Sequence, residues 1–162
     1  MPDEVELILG EFRATMDDRH RLSIPDKLVV QFASPPTACI LAKERAGCLS
    51  LWEAARWQRK LRARVAVVEQ KLRAGVLAEE RMGQVQLLGR LLSTRHSEVT
   101  LAERGRLVIP KGSREFLGVE PGAEILLVGA AVCIEIWNPT AWETYLEARM
   151  PRFRKLFERL SQ

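Results

Sequence analysis

One phrase is written twice in this chain. "RHRLSIP" occupies residues 19–25 and "RGRLVIP" occupies residues 104–110, 85 positions further on. Sliding the chain against itself by that interval extends the match. Pro36 falls on Pro121, Ile40 and Leu41 on Ile125 and Leu126, Cys48 on Cys133, Trp52 on Trp137, and Trp57 on Trp142. Between 16–57 and 101–142, 13 of 42 positions are identical without a gap, and the match uses all four tryptophans of the chain. Such self-similarity at a fixed interval is a tandem duplication. Each unit is about 45 residues of short elements, too small to bury a sufficient core alone. The two copies must therefore pack on each other, on neighbouring chains, or both.

Each copy reads alike. "EVTLAERGRLVIP" alternates in patches around a turn-like "ERG" and predicts a strand, a tight turn and a second strand. "KGSREFLGVEPGA" predicts a short helix ended by Gly118 and then a Pro-Gly turn at 121–122. "EILLVGAAVCIEIW" is two apolar runs rich in β-branched residues and predicts a β-hairpin, with "CILAKERAGCLSLW" as its counterpart in copy 1. Between the copies the period changes to helical: Leu61, Val65, Val68 and Leu72, then Met82, Val85, Leu88 and Leu92 beyond Gly75. This predicts an α-hairpin over roughly 53–73 and 77–93. A third helix, capped by Thr140 and kinked or broken at Pro151, completes the chain. The expected organisation is a first unit at 8–55, a helical spacer at 56–95, a second unit at 97–140 and a C-terminal helix at 141–162. The fold class is α+β, mostly short β-strands.

Composition narrows the function classes. With 47% apolar and 28% charged residues the chain is globular, and no long uncharged apolar run predicts a membrane span. The acidic start "MPDEVELILGEF" lacks the basic region and cleavage site of a signal peptide, so a cytoplasmic location is expected. Three cysteines without CxxC spacing predict neither a disulfide framework nor a zinc site, but small buried apolar residues. The net charge of +4 is unevenly spread: residues 58–95 hold nine Lys and Arg against three Asp and Glu, while 1–57 hold seven against nine and 96–162 nine against nine. One copy of the chain would grip a polyanion weakly.

The order of parts resembles the MraZ family: an opening "LGEF", a phrase like D-x-x-G-R-L-x-I-P, a "CLSLW" strand, a helical spacer, and the phrase again. "GRLVIPKGSREFLGVEPGAEILLVG" followed by "IEIWNPTAWETYL" is similar to the second half of that family, and the resemblance covers roughly residues 7–148. It implies two AbrB-like swapped-hairpin units paired within one chain as a pseudo-symmetric β-barrel. It also implies a sequence-specific bacterial DNA-binding regulator associated with cell-division and cell-wall genes. Copies would assemble into a ring-like homo-oligomer whose phrases meet repeated promoter boxes in double-stranded DNA, at the nucleoid. Both copies depart from the family phrase. Copy 1 keeps Asp17 and Arg21 but has His20 where glycine is expected, a costlier residue if the position is left-handed. Copy 2 keeps Gly105 and Arg106 but has Ala102 in place of the acid, with Glu103 the nearest substitute anchor.

Arginine suits this task because its planar fork binds guanine O6 and N7 together, or clamps a phosphate. Arg19 and Arg21 lie two apart, as do Arg104 and Arg106, and on an extended segment that spacing sends both side chains to one face. These four are the expected DNA contacts, with a further hydrogen bond from His20 and backbone contacts from Lys111 and Arg114. Asp17 is expected to cap the turn or form a salt bridge. The four tryptophans, each at a strand end or helix start, are expected in the core or an interface rather than stacked on bases. The basic spacer helix is read as a solvated face or as the edge where copies meet. His96 stands alone. No nucleophile elbow, HExxH or phosphate loop is present, so no catalytic residue, metal, cofactor or small-molecule substrate is expected. No membrane partner is expected either. The alternative reading is a structural ring-forming scaffold with weak or nonspecific DNA binding.

Overall fold

The computed structural model describes residues 6–162, so the first part of the acidic start lies outside the described residues. The chain runs β1 (Glu11–Thr15), β2 (Arg21–Ser23), α1 (Asp26–Phe32), β3 (Thr37–Arg45), β4 (Cys48–Glu53), α2 (Ala54–Arg73), α3 (Met82–Thr94), β5 (His96–Leu101), β6 (Arg106–Val108), α4 (Lys111–Leu117), β7 (Glu124–Gly129), β8 (Ile134–Trp137), α5 (Pro139–Arg149) and α6 (Phe153–Leu160). The α+β class is as expected, and so are the α-hairpin spacer and the hairpins β3–β4 and β7–β8.

The strand pairing is not the local one. A strand, a tight turn and a second strand within each copy would fold back on themselves. Instead β1 of copy 1 pairs with β7 of copy 2, and β5 of copy 2 pairs with β3 of copy 1. The two strands after the turns, β2 and β6, pair only with each other. All ladders are antiparallel, in a six-stranded sheet β1–β7–β8–β4–β3–β5 and a separate two-stranded ribbon. Among the described residues no ladder joins β1 to β5, so a closed barrel is not formed by hydrogen bonding. A pseudo-twofold axis relates the halves. It passes between Leu22 and Leu107 in the ribbon and between Ser50 and Glu135 in the sheet, each pair equivalent by the 85-residue interval and directly opposite in register. The exchange of strands is how two units too small to stand alone share one core.

That core is built by both copies in equal measure: Met16, Leu22, Ile24, Leu28 and Leu41 with Leu101, Leu107, Ile109, Leu117 and Ile125, all almost fully buried. On the outer side of the sheet lie two matching aromatic clusters. Ile40, Trp52 and Trp57 of copy 1 hold Cys133 of copy 2, while Leu126, Trp137 and Trp142 of copy 2 hold Cys48 of copy 1. The tryptophans are thus packing residues, and the repeated cysteines are exchanged like the strands. Two indole N–H groups are satisfied at equivalent places by different acceptors, Trp52 by Ser50 Oγ at 3.0 Å and Trp137 by Glu135 Oε1 at 3.1 Å, while that of Trp57 is enclosed without a partner. His96 packs on Trp57, ring centres 5.6 Å apart.

One detail departs from the sequence pattern. Asn138, not Thr140, caps α5: its Oδ1 accepts the backbone N–H groups of Thr140 and Ala141, and Pro139 fills the first turn. The tail is broken at Pro151 as expected, in a short tight turn at 150–152 between α5 and α6.

Candidate nucleic-acid interface

The repeated phrase builds the ribbon and its flanks. In "RLSIP" and "RLVIP" the leucines and isoleucines, Leu22, Ile24, Leu107 and Ile109, point inward and are about 1% exposed. Pro25 and Pro110, fixed at φ −57° and −63°, end the ribbon and start α1 and α4 without spending a backbone donor. Alternation then sends Arg21, Ser23, Arg106 and Val108 outward together. Arg21 lies opposite Val108, and Ser23 opposite Arg106. The two arginines are therefore diagonal neighbours across the axis, about 7–8 Å apart by ladder geometry. One exposed face carries the same arginine from each copy.

The turns that lead into the ribbon share a frame. Asp17 N–H donates to Arg21 O at 3.0 Å and Ala102 N–H to Arg106 O at 2.8 Å. Across the axis Ile24 N–H donates to Gly105 O at 2.8 Å and Ile109 N–H to His20 O at 3.0 Å. His20 and Gly105 both take left-handed backbone, φ 62° and 69°. The position that the family phrase gives to glycine is thus left-handed in both copies, and histidine adopts it in one.

Within that frame the turns differ, and the missing acid is the reason. Asp17 Oδ1 accepts the N–H groups of Arg19 and Arg21, both at 2.9 Å, while Oδ2 takes Arg21 Nε at 2.9 Å. The backbone N–H of Arg21, aided by its guanidinium and the N–H of Arg19, holds the Asp17 carboxyl below the usual carboxylate range. Copy 2 has Ala102 there. Glu103 does not replace the acid: it forms no ion pair with Arg106 among the described residues. Without a carboxylate to gather its N–H, Arg104 turns left-handed, φ 64° and ψ 20°, beside Gly105. Arg19 and Arg104 therefore leave their turns in different directions. The extended segment that would have put Arg19 beside Arg21, or Arg104 beside Arg106, does not exist, since a left-handed residue intervenes in each case.

Arg13 was not legible as a site residue. It stands on β1, and Arg13, Thr15, Asp17, Arg21, Ser23 and Arg106 line one shallow concavity beside the ribbon. Its guanidinium pairs with Glu124 Oε1 at 2.8 Å, both groups solvent-accessible. Recurrence at 85 residues, the signal that marks the other arginines, fails here because the equivalent position is Glu98. The concavity thus takes two arginines, Arg13 and Arg21, from copy 1 and one, Arg106, from copy 2. Lys111 is exposed at the start of α4, and Arg114 is half-buried on the same helix with its Nε enclosed and without a hydrogen-bond partner. Neither lines the concavity.

Residues 93–162 match the profile of a family described as "MraZ protein, putative antitoxin-like". The chain is 25% identical over 154 residues to the transcriptional regulator MraZ of Syntrophomonas wolfei, covering 95% of this chain and 96% of that one. It is 26% identical over 158 residues to that of Moorella thermoacetica and 28% over 154 residues to that of Pediococcus pentosaceus, each with 95% of this chain and 96% of the relative covered.

Proposed function

We propose that the chain is a DNA-binding transcriptional regulator of the MraZ kind, a reading its relatives support, and that it reads DNA with the outward face of the β2–β6 ribbon. The observation that carries this reading is the pair Arg21 and Arg106, one from each copy, exposed together across the axis. A two-stranded ribbon fits the major groove, and paired arginine forks suit guanine edges. Arg19, His20 and Arg104 on the flanking turns reach base edges or the sugar-phosphate backbone. Arg13, Lys111 and Arg114 supply phosphate contacts, which position the ribbon without reading sequence. Asp17, Glu103 and Gly105 shape the turns. No step calls for a cofactor, and the fitting partner is double-stranded DNA at the nucleoid.

One ribbon neutralises few phosphates, and the net charge is only +4. Affinity then comes from several ribbons on a ring-like homo-oligomer, each two-unit, barrel-like module meeting one box of a repeat in a promoter of division and cell-wall genes. The test is a salt titration of binding to DNA from upstream of the protein's own gene, beside unrelated DNA of equal length. Tight, salt-dependent binding that prefers the cognate fragment supports the proposal. Equal, weak binding to both fragments would sink it in favour of a scaffold.

A further inference from the structure

The C-terminal helix α6, "FRKLFERL", carries an apolar stripe with nothing upon it. Phe153, Leu156, Phe157 and Leu160 stand at the spacing of one helix face and are 62%, 51%, 65% and 76% exposed. They span about 100° of the helix surface, the width of a face that a globular protein buries. Exposed apolar residues scattered singly need no explanation, but four on one helix face do. Met150, 61% exposed, extends the stripe by one turn.

Charge decides what covers it. Between 149 and 160 the chain places Arg149, Arg152, Arg154, Lys155 and Arg159 against the single acid Glu158, a surplus of four that equals the formal net charge of the whole protein. Arg154 and Arg159 flank the two edges of the stripe, while Lys155 and Glu158 lie opposite it. Among the described residues the spacer hairpin exposes the longest further set of apolar side chains, with Val67, Leu72, Met82, Leu87 and Leu91, while Leu7, Leu9 and Val30 are exposed elsewhere. That hairpin lies in the segment with nine basic and three acidic residues, so laying α6 of one copy on the spacer of another would bring like charges together. DNA would accept the cations but offers nothing to four phenylalanine and leucine side chains. An anionic bilayer surface offers both: headgroups for the flanking arginines and an acyl boundary for the stripe.

We infer that α6 is an in-plane anchor for membranes rich in anionic phospholipid. Phe153, Leu156, Phe157 and Leu160 enter the headgroup boundary, and Arg152, Arg154 and Arg159 hold lipid phosphates, their stems lying along the apolar surface. This goes against the expectation of no membrane partner, which rested on the absence of a long uncharged apolar run, and no helix among the described residues is long and apolar enough to cross a bilayer. Lying on a surface is a different demand, and a short helix of large amphipathicity meets it. The face is separate from the β2–β6 ribbon, so lipid binding and DNA binding are independently testable.

The experiment is co-sedimentation of the full chain with vesicles of phosphatidylcholine alone and of phosphatidylcholine with a minority of phosphatidylglycerol. The protein should sediment with the phosphatidylglycerol vesicles, remain in solution with phosphatidylcholine, and be released as salt is raised. Leu156→Glu/Phe157→Glu should abolish sedimentation while leaving the circular dichroism spectrum unchanged. Arg154→Glu/Arg159→Glu, which spares the stripe, should weaken binding to the anionic vesicles by about tenfold or more. No binding to anionic vesicles at low salt would overturn the inference. So would a Leu156→Glu/Phe157→Glu protein that binds vesicles as before, or one whose mass in sedimentation velocity falls without vesicles, since the stripe would then be an interface between copies.

Discussion

Gly105 lies so close to Ile24 that a Cβ on it would collide with the Ile24 carbonyl oxygen. The approach is across the two copies, where Ile24 N–H donates to Gly105 O at 2.8 Å, and Gly105 is also left-handed at φ 69°. Space and backbone thus both exclude a side chain. Gly105→Ala should destabilise the protein by about 2–4 kcal/mol in denaturant unfolding. His20, the equivalent residue, already has a side chain at φ 62°. His20→Gly should leave stability unchanged or raise it by up to about 1 kcal/mol, because only the left-handed strain is relieved. Equal destabilisation by both substitutions would mean that the two turns are not anchored as the structure has them.

Asp17 gives a second prediction, with a sign fixed by its carboxyl. Three N–H groups favour its charged form, so the folded value lies below the ordinary 3.8. A depressed carboxyl contributes stability that is present above the unfolded value and lost as pH falls through the folded one. In an acid titration followed by NMR, the Arg21 Nε–H signal should shift with a midpoint below pH 3.8, as the clamp is protonated. The Arg106 signal, with no carboxylate beside it, should not follow. Asp17→Ala should free Arg21 and give copy 1 the turn of copy 2. Affinity for unrelated DNA should then rise while the preference for cognate DNA narrows.

Much of this was legible in the sequence, and what was not shares a physical cause. The repeat, the tryptophan clusters, the spacer hairpin and the left-handed place of Gly105 follow from spacing and residue type. The exchange of β1 and β5 does not, because alternation identifies a strand but not its partner; only the resemblance to swapped-hairpin units implied it. The gapless match also misled in β3. A bulge between Lys43 and Arg45 shifts its register, so Ile40 lies opposite Trp52 as Leu126 lies opposite Trp137. Ile40 and Ile125, aligned as identical, therefore face opposite sides of the sheet, Ile40 in the outer aromatic cluster and Ile125 in the core. One residue of slip exchanges faces without changing the apolar pattern when both neighbours are apolar.

The buried cysteines give a prediction on pH in the other direction. Burial pushes the Cys39 thiol up to about 11 and the Cys133 thiol up to about 12, with Cys48 raised as well. In the unfolded chain a thiol ionises near 9.0. A raised folded value means stability that is full below the unfolded one and is lost as pH climbs toward the folded one. Denaturation midpoints should thus fall steadily above about pH 9. Alkylation of the native protein at about pH 8 should be negligible at all three sites and rapid after denaturation. Fast native labelling of Cys48 or Cys133 would show that the aromatic clusters are open.

The arginines of the concavity should separate into two kinds. Arg21→Ala and Arg106→Ala should each weaken cognate DNA binding by ~1–3 kcal/mol for every base left unread, with relaxed preference at the bases concerned. Neither should change the assembly size, since both side chains are exposed. Arg13→Ala should instead weaken binding to every sequence alike and lower the salt dependence by about one counterion, as a phosphate contact does. Because Glu98 occupies the equivalent place in copy 2, Glu98→Arg should raise the salt dependence by a similar step. The check is a set of fluorescence-anisotropy titrations at several salt concentrations on cognate and scrambled DNA. If Arg13→Ala altered base preference while its salt slope stayed that of the parent, Arg13 would belong with the base readers. The unequal halves of the ribbon would then read unequal half-boxes.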